Sequence, residues 1–256
     1  MRNALHAIRV GVVFLVSAVS GCDAAPEHAS DDPDASSAES DSSQAAPDAA
    51  NVPIDPRCPA VPIAGEVLFP DATRVDWVSF ADHAAAVEVQ SEAVIPPPNS
   101  VSQTGEGYVG RKVRVRVADT IWSNRFAQAL PSEIEFKGLG WLKRQSCAEL
   151  VPVYGGRDHP APRLEVRGKY VIALVLYTVV DQGWGPLTPG SAFADGDDAT
   201  ATADIAATGI NPAAQSLSGL THDEVRAKLD GTEPHPSVRE ALNLPAEDRL
   251  ARAQSP

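Results

Sequence analysis

The sequence predicts a mainly β fold. It reads as a curled antiparallel sheet or small barrel, followed by C-terminal helices and preceded by a disordered linker. Three observations predict this. Residues 111–117 alternate, with Val113, Val115 and Val117 on one face and Lys112, Arg114 and Arg116 on the other. Residues 170–180 (YVIALVLYTVV) are apolar throughout, as in a strand covered on both faces. Residues 23–57 are Ala, Ser, Asp and Pro with almost no large apolar side chain. Period-two alternation argues for half-buried strands, and a segment too polar to bury surface cannot offset its ordering entropy.

From the N-terminus, Arg2 and Arg9 flank an apolar run from Val10 to Val19, and Ser20-Gly21-Cys22 follows. As a helix that run spans about 15 Å, too short for a hydrocarbon core of about 30 Å. A basic n-region, a short apolar h-region and small residues before a cut describe a secretory leader. Val19-Ser20-Gly21-Cys22 resembles the lipobox of bacterial lipoproteins. The resemblance implies cleavage before Cys22, acylation of Cys22 (palmitate among its chains) and an extracytoplasmic protein anchored to the cell membrane. The bilayer is then one partner, reached through the acylated Cys22. An ordinary signal peptide and an uncleaved anchor are the alternatives.

Residues 22–57 follow as an acidic tether. Nine acids face one arginine there, so much of the net charge of −13 lies outside the folded part. Like charges extend such a chain, and flexible-coil scaling gives a reach of roughly 30–35 Å. The tether reads as a plain spacer. Cys58 and Cys147 are the remaining cysteines, and in an exported domain two cysteines suggest one disulfide. Two free thiols are the alternative.

The β-rich part is expected over 58–192. Strands are expected at His83–Glu92, Arg111–Val117, over 133–137 and over 170–180, with shorter ones at 66–69 and Arg74–Phe80. Pro96-Pro97-Pro98-Asn99 and Gly138/Gly140 read as the breaks between strands. Leu164, Gly168 and Tyr170, in Leu-Glu-Val-Arg-Gly-Lys-Tyr-Val after a cysteine, resemble the OB-like barrel of netrin-like domains and metalloproteinase inhibitors. The likeness covers about 110 residues. It implies an OB-like barrel here. The zinc-chelating N-terminal cysteine of those inhibitors has no counterpart, because Cys58 is internal and Cys22 is the lipid site.

Residues 193–256 read as a loop and helical extension. Ala192–Pro212 is loop-like. Thr221 and Glu224 form a capping box for a helix to about Leu229 that ends near Gly231, and Leu242–Ala253 offers a second helix with Pro245 in its first turn.

No nucleophile elbow, phosphate loop, His-Glu-x-x-His or dinucleotide fingerprint is present, so no catalytic residue, cofactor or metal ligand is assigned. Asp195-Gly196-Asp197-Asp198 lacks the spacing of a calcium loop and reads as an acidic surface loop. The net negative charge argues against nucleic acid. The row Lys112, Arg114 and Arg116 either meets an anionic polymer or is matched across the sheet by Glu88 and Glu92. Asp158-His159 and His222-Asp223 place acids beside histidines, which adjacency alone does not make catalytic. Trp77, Trp122, Trp141 and Trp184 are the ligand-binding candidates, as groove aromatics or as core. The long loop Ile95–Gly110 is the expected place of partner contact.

The function expected is a non-catalytic binding module whose partner is a protein or an envelope polymer. The alternative is an exported envelope-acting hydrolase whose site assembles only in the fold.

Overall fold

A computed structural model of the chain describes residues 58, 61–63, 68–96, 105–147, 149–155, 160–179 and 183–255. The leader, Cys22, the tether, Asp158-His159 and the Pro97-Pro98-Asn99 stretch lie outside the described residues.

The strands are β1 Val61–Ile63, β2 His83–Val94, β3 Gly107–Ser123, β4 Glu133–Lys143, β5 Val151–Gly155, β6 Lys169–Tyr177, β7 Gly183–Pro186 and β8 Ala192–Ala194. They form one sheet in the order β1-β5-β4-β3-β2-β6-β7, with β8 also paired to β6. The β1–β5 pair is parallel; the other pairs among the described residues are antiparallel. The β2–β3 ladder shifts register at Ala84/Ala85, Ala86/Val87 and Val89/Ser91. Irregularities of that kind bend a strand and increase its twist. The sheet curls into a half-barrel, and its last strand, β7, comes back against β4.

The alternation sorts the side chains as expected. Val87, Val89, Val113, Val115, Ile134, Phe136, Tyr170, Ile172 and Leu174 line the inside of the curl. The opposite face is not left to solvent. Ala84, Ala86, Val171, Ala173 and Val175 carry a helical layer that contributes Trp77, Phe80, Leu217, Val225, Leu229 and Leu250. Alanines on β2 let that layer sit close. β6 is therefore covered on both faces, which is why its sequence does not alternate.

The helices are α1 Arg74–Phe80, α2 Ala199–Thr208, α3 Pro212–Gln215, α4 His222–Asp230 and α5 Ala246–Gln254, with a 3-10 turn at Pro236–Ala241 before α5. The capping box of α4 forms as read: Thr221 N–H donates to Glu224 at 2.9 Å and Gly231 caps the other end.

Three sequence expectations need correction. Arg74–Phe80 is a helix, not a strand. Thr73 accepts from the Asp76 amide at 3.1 Å and Asp76 accepts from the Thr73 amide at 2.8 Å, and that box overrides the β-branched composition. Gly138 and Gly140 do not break the chain; both lie inside β4. A Cβ at Gly140 would stand 2.2 Å from the Val109 carbonyl oxygen, so close backbone approach explains that glycine. Ala192–Pro212 is not a loop. It holds β8 and α2, the latter capped by Asp198 and closed at Gly209, where φ is +83°. Leu68 and Phe69, within the short 66–69 candidate, lie in a bend.

Cys58 and Cys147 are joined as a disulfide, with Cα atoms 6.0 Å apart. Among the described residues, no helix is long and apolar enough to cross a membrane.

Candidate functional site

The half-barrel leaves an opening between β4 and β7, and the chain lines it with apolar side chains. The groove there has a volume of about 570 Å³, within the range of small-ligand sites. Its floor is core: Phe136, Leu164 and Trp184 belong to the inner cluster. Tyr108, Tyr177 and Leu68 form its sides, and the ion pair of Lys112 and Glu135 (2.6 Å) stands at the rim. Leu68 and Tyr108 are large apolar residues left 49% and 41% exposed. At Gly185 a Cβ would press on the Tyr177 ring at 3.2 Å and would touch Phe136 Cβ on β4 at 3.7 Å, an ordinary contact.

One wall of the groove is the strap Pro162-Arg163-Leu164 that precedes β6. A buried polar network fixes it. The Asp204 carboxylate on α2 accepts the amides of Arg163 (3.0 Å) and Leu164 (2.8 Å) and the Tyr170 hydroxyl (2.8 Å). Arg111, fully buried, donates to Glu92 at 2.6 Å, to the Leu164 carbonyl at 2.9 Å and to the Arg163 carbonyl. The Arg163 guanidinium lies 4.7 Å from the centre of the Trp141 ring and donates to the Gly140 carbonyl at 2.9 Å. These bonds hold Leu164 at φ +65° and so aim its side chain at the core. Burial raises the Glu165 carboxyl above its ordinary range even though Arg163 and Arg111 oppose the shift. Burial and the Asp204 charge likewise raise the Tyr170 phenol.

The four tryptophans do not converge. Trp184 lines the groove. Trp141 packs against Val109 in a separate small cluster beneath Arg163. Trp122 rests half-buried against the helical core, and Trp77 is sealed inside it. Of the long loop, Ile95 and Pro96 and the stretch from Gly105 are described, and Tyr108 reaches the groove.

Two cations of the basic row are matched across the sheet, and Glu92, expected as one of the counter-charges, is not among their partners but pairs with the buried Arg111. Arg116 pairs with Glu88 at 2.6 Å and Lys112 with Glu135 at 2.6 Å, while Arg114 stands opposite Glu135 in the ladder. His222 is not paired with its neighbour Asp223. Its ring bridges Asp119 on β3 (3.0 Å) and Asp195 after β8 (2.9 Å). The other members of the acidic loop, Asp197 and Asp198, lie before α2, where Asp198 serves as cap.

Sequence reasoning passed over a serine and a histidine that only the β2–β3 register brings together. His83 and Ser123 are ladder partners. The His83 Nε2 faces the Gln128 carbonyl at 2.8 Å and therefore carries the proton, which leaves Nδ1 to accept from the Ser123 hydroxyl at 2.8 Å. Burial lowers the pKa of that ring and keeps it neutral. Trp184 lies 5.1 Å from it, centre to centre. Nothing in the spacing of two residues 40 apart signals this pair.

In comparisons with known proteins, no family model, no curated protein and no solved structure matches the chain.

Proposed function

We propose that the chain is an extracytoplasmic lipoprotein, anchored to the cell membrane through acylated Cys22, whose β domain is a binding module. It takes a protein or envelope-polymer partner in the groove between β4 and β7. The observation that carries this is the groove itself: an opening of about 570 Å³ whose floor is shared with the core and whose sides leave Leu68 and Tyr108 exposed. Concave, mostly apolar clefts of this size are where ligands are held. The leader supports the address, and the OB-like likeness is supported by the positions of its marker residues. Gly168 abuts the Tyr170 ring, where a Cβ would stand 2.6 Å from Cε2, and Leu164 is in the inner core.

The test is in-cell crosslinking of the full chain, followed by capture and mass spectrometry, with Trp184→Ala and Cys22→Ala controls. A stoichiometric partner lost from both controls is the expected result. A partner kept by Trp184→Ala would remove the groove from the reading. A partner kept by Cys22→Ala would remove the anchor from it.

One observation favours a second reading, the exported hydrolase. Ser123 with His83, oriented by a third group, has the arrangement of an activated nucleophile. Labelling of Ser123 by a fluorophosphonate, absent from Ser123→Ala, would support it. An unlabelled wild-type protein would end it.

A further inference from the structure

Strand β2 changes character along its length. From His83 to Glu88 it lies between β3 and β6. Val89 closes that stretch against the turn before β6: its amide donates to the Gly168 carbonyl at 3.0 Å and its carbonyl accepts from the Arg167 amide at 2.8 Å. Beyond Val89 the ladder to β3 continues to Val94, past a register shift at Gln90, while among the described residues no strand pairs the other side. Gln90, Ser91, Ala93 and Val94 are exposed, Val94 to 50%.

The register says which groups this edge offers. The Ile95 amide donates to the Gly110 carbonyl at 2.9 Å. Ile95, Ala93 and Ser91 therefore turn their main-chain groups to β3, and the N–H and C=O of Glu92 and Val94 point to the open side. Edge strands are commonly blunted by charged side chains that deter a second strand. Here Ser91, Ala93 and Val94 are uncharged, and the one acid, Glu92, is drawn to Arg111 and Arg163. Pro96 ends the edge where the long loop begins.

These groups are complementary to themselves. A twofold axis at Ala93 sets Glu92 opposite Val94 of a second copy and Val94 opposite Glu92 of that copy. Each such pair exchanges N–H···O bonds in both directions. Ala93 then meets its own twin in a non-hydrogen-bonded pair, with Cα atoms about 4.5 Å apart, and its methyl group leaves room for that approach.

We propose that the β2 edge from Ser91 to Ile95 pairs two copies of the chain, antiparallel about a twofold axis at Ala93, so that their sheets run on as one. None of these residues lines the groove between β4 and β7, so this contact is separate from the binding site proposed above. A handful of residues a side is well below the roughly 20–30 of a standard interface, so the dimer is weak in dilute solution. Copies anchored to one membrane would meet at a raised effective concentration.

The experiment uses the full mature chain made soluble by Cys22→Ala. Sedimentation at about 10 µM to 1 mM is expected to show a monomer–dimer equilibrium. Val94→Pro removes an N–H that faces the open side and leaves the β3 bonds in place, as edge strands allow. That variant is expected to stay monomeric over the same range with its far-UV circular dichroism unchanged. In a second measurement, Ala93→Cys is expected to form a disulfide-linked dimer on mild oxidation, since the paired Cα atoms are within bridging distance. Ser91→Cys lies on the same face, but its twin is about 13 Å away across the axis, so it should not crosslink. A monomer at every concentration, a dimer that Val94→Pro leaves intact, or equal crosslinking at positions 91 and 93 would each overturn the proposal.

Discussion

The Tyr170 hydroxyl donates to the Asp204 carboxylate at 2.8 Å, and this bond joins strand β6 to helix α2. The same carboxylate holds two amides of the strap that walls the groove. The position of the wall thus depends on two side chains that do not themselves line the groove.

Tyr170→Phe leaves Asp204 short of one donor in a buried site. A loss of about 1–3 kcal/mol is expected, and Asp204→Ala should cost more because it strands two amides and the phenol. Urea unfolding measures both. Equal stability of Asp204→Ala and wild type would mean that the strap does not depend on the network.

Arg249 on α5 is fully buried and donates to Asp82 at 2.6 Å and to the Ser79 carbonyl at 3.1 Å. Asp82 in turn accepts the Leu176 amide at 2.9 Å. The last helix is thus fastened to the start of the sheet by an ion pair inside the protein. Arg249→Met should destabilise by about 3–5 kcal/mol, since it leaves a carboxylate uncompensated, and Asp82→Asn in the same chain should restore part of that loss. Strict additivity of the two changes would argue against direct coupling.

The parts legible in the sequence are those fixed by local rules. The strand alternation of Val113, Val115 and Val117 and the Thr221–Glu224 box appear as read, because each is decided within a few residues. Thr73-x-x-Asp76 was an equally local signal, and the aromatic and β-branched residues after it hid the helix. Of the groove, only Trp184 was legible among the four scattered tryptophans. Its floor needs Phe136, Leu164 and Trp184 from three separate segments, and its wall needs a carboxylate 40 residues downstream of Leu164. Tertiary closure of that kind leaves no periodic trace in a single sequence.

Two histidines pull stability in opposite directions with pH. Partial burial disfavours the charged form of His222, but the Asp195 and Asp119 carboxylates outweigh it and raise its pKa above the ordinary value of about 6.5. Its contribution is complete below about pH 6.5 and is lost as pH rises through the folded value. His83 is lowered, mainly by burial, so its contribution is present above about pH 6.5 and is lost as pH falls through the folded value. Urea midpoints from about pH 5 to 8.5 should therefore fall at both ends. His222→Gln should flatten the alkaline fall and leave the acidic one. Parallel curves for variant and wild type would show that the two carboxylates do not hold the His222 proton.

The disulfide closes a loop of 89 residues that contains β1 to β4 and so spans the first half of the sheet. Constraining a loop that long in the unfolded chain stabilises the fold by about 4–5 kcal/mol at most on the chain-entropy model. Cys147→Ser with Cys58→Ser should lower the urea midpoint by a large part of the total stability of a domain this size. The bond also holds Cys58 beside the end of β4, the strand whose other residues line the groove. Reduction should therefore weaken ligand binding at a urea concentration where the fold is still intact. The check is to titrate a groove ligand with and without reductant, with the fold followed by far-UV circular dichroism. Loss of binding only together with loss of the fold would confine the disulfide to stability.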